Sequence, residues 1–228
     1  FIPFLLVGAL LLNRKKIKSL GLKNVIMGVA ISAMLIFPLI SPLLNEGASR
    51  FKQTSIEQEV NEEWLENYNN GKNIDRKLLF AKVFIEGYFS TFSSDFLFLR
   101  GDQNERHKSF GMGPLYIWEL PFLLFGIYFL KKYTNYSVWG VIVIWILASP
   151  IASALSIPTP HALRTLNMLP MPQILTSIGV LFVISLIPKS KRLYFIIVMV
   201  FIVMGFFSYF VKQYYISHTK LFVSSWGD

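Results

Sequence analysis

The fold is decided by the stretch LYFIIVMVFIVMGFFSYFV, residues Leu193–Val211, which runs for 19 residues without a charged side chain. The hydrocarbon core of a bilayer is about 30 Å thick, and about 20 apolar residues in a helix are enough to cross it. An uninterrupted apolar run of this length therefore predicts a transmembrane helix.

Comparable apolar windows recur along the rest of the chain. They are Leu22–Leu44, Pro114–Leu130, Ser137–Leu155 and Leu169–Ile187. A shorter run, Phe1–Leu12, would extend only about 18 Å as a helix, so we expect the chain to begin inside a span and to be a fragment of a larger protein. The sequence predicts an all-α polytopic membrane helix bundle, one membrane domain over 1–228 with five full transmembrane helices plus one truncated.

Composition and charge agree with a membrane protein. The chain is 54% hydrophobic and 15% charged, with a mean hydropathy of +0.50, whereas soluble domains average about 25% charged residues. Loops 13–23, 131–136 and 188–192 hold ten basic residues and no acidic one. By the positive-inside rule these loops are cytoplasmic, and loop 45–113 and the C-terminus lie outside the cell (cytoplasmic) membrane. The net charge of +9 is therefore explained by the orientation of the chain in the membrane, and we expect no nucleic-acid partner.

The long outer loop, 45–113, carries the patterns of amphipathic helices. Ser55 and Gln58 fit a capping box, and Ile56, Val60 and Trp64 recur every four residues on one face. A second amphipathic stretch, Arg76–Phe92, is rich in aromatic residues. We expect both helices to lie in the membrane interface.

The motif Pro160-His-Ala-Leu-Arg164 is the first candidate site. Thr159 can cap a short helix that starts at Pro160, which places His161 and Arg164 on one face. A helix N-terminus beside a guanidinium binds anions, and a polyprenyl-phosphate sugar carrier offers such an anion at the outer surface. The alternative is an arginine that reaches the interface and a histidine that caps a loop.

A second candidate site is the polar stretch 100–109, which follows an aromatic run. The groups suited to a phosphate are Arg100, Arg106 and His107. The groups suited to sugar or acceptor hydroxyls are Asp102 and Glu105. The alternative is a solvated surface loop with internal ion pairs.

Glu119 is the acidic residue inside a predicted span. A carboxylate at that depth is costly and is functional by default. Two roles stay open for it: it orients a cationic partner such as Arg164, or it binds interfacial water.

Standard catalytic signatures are missing from the sequence. The chain has no cysteine and three scattered histidines, which excludes a thiol nucleophile and predicts no metal site. It has no Gly-x-Ser-x-Gly elbow, Walker loop or His-Glu-x-x-His motif. An acidic pair in a short outer loop is also absent, so no residue is predicted as the catalytic base.

Several segments together resemble a known family. Tyr88–His107, Gly113–Tyr116 and Leu120–Gly126 look like the middle of bacterial multi-spanning glycosyltransferases of the C-type membrane fold, relatives of protein O-mannosyltransferases and aminoarabinose transferases. Pro160–Arg164 followed by Leu169-Pro170 is similar to the next segment that these enzymes share.

The resemblance implies transfer of a sugar from a polyprenyl-phosphate carrier to an acceptor on the outer face, by an inverting displacement. It implies that Arg164 and His161 face the carrier phosphate, and that Asp102, Arg106 and His107 lie in a loop that closes over the site. It places the principal catalytic acid upstream of Phe1, so the fragment alone is expected to be inactive. Beyond the lipid-linked sugar no cofactor is certain, and a divalent metal stays open.

Two other functions compete with this interpretation. A transporter or flippase for lipid-linked saccharides also needs interfacial bases and proline-broken spans. A non-catalytic membrane scaffold would use the long outer loop to bind a partner protein. An acidic pair in an outer loop would favour the transferase, and a second, related set of spans would favour the transporter.

Overall fold

A computed structural model describes residues 7–8, 11–12, 21–42, 47–104, 107–108 and 111–218. These residues are mainly helical, which confirms the all-α prediction. The α-helices are α1 (Leu22–Pro42), α2 (Ala48–Thr54), α3 (Glu57–Asn69), α4 (Arg76–Ser90), α5 (Glu119–Tyr133), α6 (Tyr136–Ala148), α7 (Ile151–Ala154), α8 (Pro170–Leu186) and α9 (Lys189–Lys212). Two π-helices, Asp95–Leu99 and Gln213–His218, and a 3₁₀-helix, Leu166–Met168, complete the set.

Within the residues that the structure describes, three helical segments are long and apolar enough to cross a bilayer. They are Tyr136–Ala154, Leu166–Leu186 and Lys189–Ser217. They coincide with the predicted spans at 137–155, 169–187 and 193–211. Helix α9 has no buried residue, so its apolar side chains are available to lipid or to other helices.

The other two predicted full spans are not confirmed. Helix α5 begins at Glu119 rather than Pro114, and its 15 residues extend only about 22 Å. Residues 114–118 form turns instead, in which the Glu119 Oε1 atom accepts a hydrogen bond from the Tyr116 backbone N–H at 3.1 Å. Within α1, the structure gives Ile26–Leu35 as a shorter apolar helical segment. The truncated span predicted at 1–12 lies mostly outside the described residues.

Helices α5 and α8 pack with their backbones in contact. A Cβ atom added to Gly126 would overlap the carbonyl of Leu175, and one added to Gly179 would overlap the carbonyl of Phe122. Small residues at facing positions let two apolar helices approach this closely. The buried side chains Leu130, Ile142, Met171 and Leu175 form the core around this contact.

Helices α3 and α4 form a hairpin with its own small core. Ile56 and Val60 are buried against Leu79 and Val83, as the predicted amphipathic faces require. The Trp64 indole N–H closes the hairpin by donating to the Ile74 carbonyl at 3.2 Å. The predicted capping box is wrong, because the helix has Ile56 at its N-cap. The Ser55 hydroxyl accepts from the Glu57 N–H at 3.2 Å, and the Gln58 side chain donates to the Lys52 carbonyl at 3.4 Å.

The hairpin is joined to the loop after α7 by an isolated antiparallel bridge between Ser55 and Ser156. The Ile56 N–H donates to the Leu155 carbonyl at 3.2 Å, and the Ile157 N–H donates to the Thr54 carbonyl at 2.7 Å. This bridge holds the start of the loop that carries His161.

We expect Ile56→Val to lower the free energy of unfolding by about 0.5–1.5 kcal/mol, because one methylene is removed from a fully buried side chain. Ile85→Val in α4 is the matched control, since Ile85 is 51% exposed. Thermal unfolding in detergent measures both variants. Equal shifts in Tm would contradict a hairpin core centred on Ile56.

Candidate functional site

The first half of the site is a sharp turn after the π-helix Asp95–Leu99. The N–H groups of Arg100 and Gly101 both point back to the Asp95 carbonyl, at 2.7 and 3.3 Å. Gly101 has a φ of +71°, and a Cβ there would lie 2.7 Å from the Met112 carbonyl oxygen. Only glycine fits this left-handed, crowded position, which delivers the next residue, Asp102, into the interior.

Asp102 joins the two sequence motifs. Its carboxylate is completely buried. The Oδ1 atom accepts from the Asn104 N–H at 2.8 Å, and the Oδ2 atom accepts from the Ala162 N–H at 2.7 Å. One side chain thus fixes the 100–104 turn to the 160–165 loop.

Two histidines flank the same carboxylate oxygen. The Nδ1 atoms of His107 and His161 each lie 3.5 Å from Asp102 Oδ2. Their rings are neighbours, with centroids 4.6 Å apart and planes tilted by 38°. Both Nδ1 atoms are buried, and neither makes a hydrogen bond to any residue that the structure describes. We call these three residues the Asp-His-His cluster.

The loop around His161 is held by its backbone. The His161 N–H donates to Ser153 Oγ at 3.1 Å, and the His161 carbonyl accepts from Thr165 Oγ1 at 2.9 Å. Burial lowers the pKa of the His161 imidazole below its ordinary value. The nearby Asp102 charge acts in the opposite direction, but the effect of burial is larger. His161 is therefore neutral at pH 7, with one ring nitrogen free of a proton.

The prediction of a helix that starts at Pro160 is wrong. Residues 157–160 form bends, and a turn over 162–165 leads into the 3₁₀-helix Leu166–Met168. The Thr159 hydroxyl does not cap that segment, because it donates to the Gly87 carbonyl of α4 at 3.5 Å. The Ala162 N–H that was expected to hold a ligand anion instead holds the Asp102 carboxylate.

Arg164 lies beside the cluster, but one of its nitrogens is engaged with its own loop. The Nη1 atom donates to the carbonyls of Ile157 and Pro158 at 3.0 and 3.3 Å. This contact agrees with the alternative in which Arg164 braces its own loop. Among the described residues no ion pair joins Arg164 to Glu119, whose carboxylate instead accepts the Tyr116 N–H.

The remaining predicted residues are spread out. Arg100 is 81% exposed and pairs with Asp95 at 3.3 Å, so it takes no part in the cluster. Glu105 and Arg106 lie outside the described residues.

A cavity of about 320 Å³ opens next to the cluster. Asp102, His107 and Lys108 supply its polar wall. Its apolar wall includes Met112, Tyr116, Leu163, Leu166, Leu169 and Phe210. Leu169 and Phe210 belong to segments that are long enough to span a membrane. A cavity of this size with one charged and one apolar wall suits an amphipathic ligand.

Sequence reasoning selected Asp102, His107 and His161 but assigned them to separate sites. It also missed Ser153 and Thr165, which position His161, and it passed over Lys108. The expectation of no metal site rested on the scattering of the histidines along the chain. The structure contradicts that argument, because two of the three histidines lie beside the same carboxylate, that of Asp102.

No family model, curated protein or solved structure matches the chain at a significant level.

Proposed function

We propose that the chain belongs to a glycosyltransferase that uses a polyprenyl-phosphate-linked sugar, and that the cavity beside the Asp-His-His cluster receives the phosphate of the carrier. The observation that carries this proposal is the cavity itself. It combines a polar wall, with Lys108 and His107, and an apolar wall that includes Leu169 and Phe210. A lipid phosphate has the same two parts, a charged head and an apolar chain.

In this proposal the cavity serves the leaving group of the transfer. An acceptor hydroxyl attacks the anomeric carbon of the sugar, and the bond from that carbon to the phosphate oxygen breaks. The electron pair stays on the phosphate, and the hydroxyl proton passes to a base. The Lys108 ammonium, which lies in the polar wall of the cavity, would stabilise the charge that grows on the phosphate.

We further propose that the site faces the outer side of the cytoplasmic membrane. The support is the clustering of basic residues in loops 13–23, 131–136 and 188–192, which the positive-inside rule assigns to the cytoplasm.

The direct test is binding of a polyprenyl phosphate to the chain in phosphatidylcholine nanodiscs. A photoreactive polyprenyl phosphate is expected to crosslink to residues of the cavity, including Met112 and Leu169. Crosslinking that is equally strong with a photoreactive phosphatidic acid would contradict a carrier site. Carrier translocation between leaflets in proteoliposomes, without sugar transfer, would replace the proposal by the transporter function.

We expect Lys108→Gln to weaken binding of the polyprenyl phosphate by about 10-fold or more, because a charge-assisted hydrogen bond contributes about 1.5–3 kcal/mol. Lys82→Gln is the matched control, since Lys82 pairs with Glu63 on the hairpin at 2.9 Å. Titration of a fluorescent polyprenyl phosphate into nanodiscs that contain each variant measures both binding affinities. An equal loss in the two variants would remove Lys108 from the site.

A further inference from the structure

We infer that Asp102, His107 and His161 form a binding site for one divalent transition-metal ion of the zinc class. One ligand atom from each residue lies within 4.8 Å of the others. Two imidazoles and a carboxylate are the donor set that zinc and its neighbours prefer, whereas magnesium prefers oxygen ligands alone.

Two of the three distances between the ligand atoms are close to those around a tetrahedral ion. Zinc bonds to nitrogen and oxygen are about 2.0–2.1 Å long, which sets neighbouring ligand atoms about 3.3–3.4 Å apart. The two Nδ1 atoms lie 3.5 Å from Asp102 Oδ2. This separation is too long for a good hydrogen bond and close to the edge of a zinc tetrahedron.

The unpaired nitrogens are the second observation. Buried polar atoms nearly always have a hydrogen-bond partner. The His161 side chain is 9% exposed, yet within the described part of the chain its Nδ1 atom has no such partner, and the same holds for His107 Nδ1. Both atoms face one carboxylate oxygen, and a metal ion between them would satisfy all three atoms together.

The surroundings of the cluster already orient these ligands. Asp102 Oδ2 accepts one hydrogen bond, from the Ala162 N–H, and keeps a second lone pair for a metal. His161 is fixed by Ser153 and Thr165 through its backbone atoms. Such outer contacts are typical of metal centres, because they hold the ligands in place before the ion arrives.

Three protein ligands leave the fourth position of a tetrahedral ion open. Asp102 and His107 both line the cavity, so the ion would lie at the cavity wall together with its open position. There it would take a water molecule or an oxygen of an anionic ligand. The ion would also offset the negative charge of Asp102 at the wall of a cavity proposed to hold a phosphate.

The test is metal uptake by the purified chain in detergent, without lipid carrier, after treatment with a chelator. We expect one equivalent of Co²⁺ to bind and to give the visible absorption of a tetrahedral site, and Zn²⁺ to displace it. We expect Mg²⁺ to leave the Co²⁺ spectrum unchanged. Failure of carrier binding would leave this result intact, because no lipid phosphate enters the measurement.

His107→Ala and His161→Ala are each expected to weaken Zn²⁺ binding by more than about 100-fold, since even outer-shell partners of a metal contribute about 10–100-fold. His161→Ala keeps the backbone contacts to Ser153 and Thr165, so the loop is retained. His218→Ala removes the third histidine of the chain as the matched control and is expected to keep the wild-type affinity. Circular dichroism verifies folding of each variant.

Two results would overturn the inference. One is a folded, monodisperse wild-type chain that takes up neither Co²⁺ nor Zn²⁺. The other is unchanged affinity in both His107→Ala and His161→Ala, which would place the bound ion elsewhere in the chain.

Discussion

Gly179→Leu is expected to prevent the helix bundle from forming. The side chain would enter space that the backbone of α5 already occupies at the Phe122 carbonyl. Overpacking of a core costs about 1–3 kcal/mol when neighbouring side chains can move. Here the obstacle is the backbone of a packed helix, so we expect a loss above about 3 kcal/mol and a chain that aggregates on extraction from the membrane.

Gly205→Leu in α9 is the control for this change. A Cβ at Gly205 meets nothing within 4 Å, and replacement of a glycine inside a helix by leucine raises the helix propensity. Size-exclusion profiles in detergent measure both variants. A monodisperse Gly179→Leu protein with the wild-type Tm would contradict the close contact of α5 and α8.

Asp102→Ala is expected to lower the free energy of unfolding by about 2–4 kcal/mol. The substitution removes two charge-assisted hydrogen bonds, each of about 1.5–3 kcal/mol. The donors of these bonds, the backbone N–H groups of Asn104 and Ala162, are only partly shielded from water. Asp102→Asn is expected to cost about half as much. Its amide keeps one acceptor oxygen, so one of the two N–H groups loses its partner.

Asp95→Ala is the matched control for the carboxylate. The Asp95 side chain is 52% exposed and its partner Arg100 is more exposed still, so the surface pair contributes about 0–1 kcal/mol. Chemical denaturation and limited proteolysis measure the three variants. If the shifts for Asp95→Ala and Asp102→Ala were equal, Asp102 would not be the link between the two loops.

Periodicity was sufficient to predict the regular parts of the fold. The four-residue spacing of Ile56 and Val60 identified the buried face of the hairpin, because helix geometry alone sets which side chains share a face. Long apolar runs in the sequence also predicted the three helical segments that can span a membrane. The start of α5 was missed, since the Glu119 carboxylate binds the Tyr116 N–H and holds the preceding residues in turns.

The site was less predictable, because it depends on contacts that sequence spacing does not encode. Thr159 has the residue type of a helix cap, yet its hydroxyl is directed to the Gly87 carbonyl, 72 residues away in the chain. His107 and His161 belong to different loops, and only the tertiary structure brings both to Asp102. The glycine before Asp102 was the one local signal, since a left-handed turn was needed to direct the carboxylate inward.

The hydrogen bond from the Ala162 N–H to Asp102 also determines when the site can be assembled. Its two ends are 60 residues apart, and α5, α6 and α7 lie between them. Closing a loop of this length costs chain entropy before the contact returns any stability. This contact can therefore form only after the intervening residues have been synthesised, so the 100–104 turn is made before the loop that carries its partner.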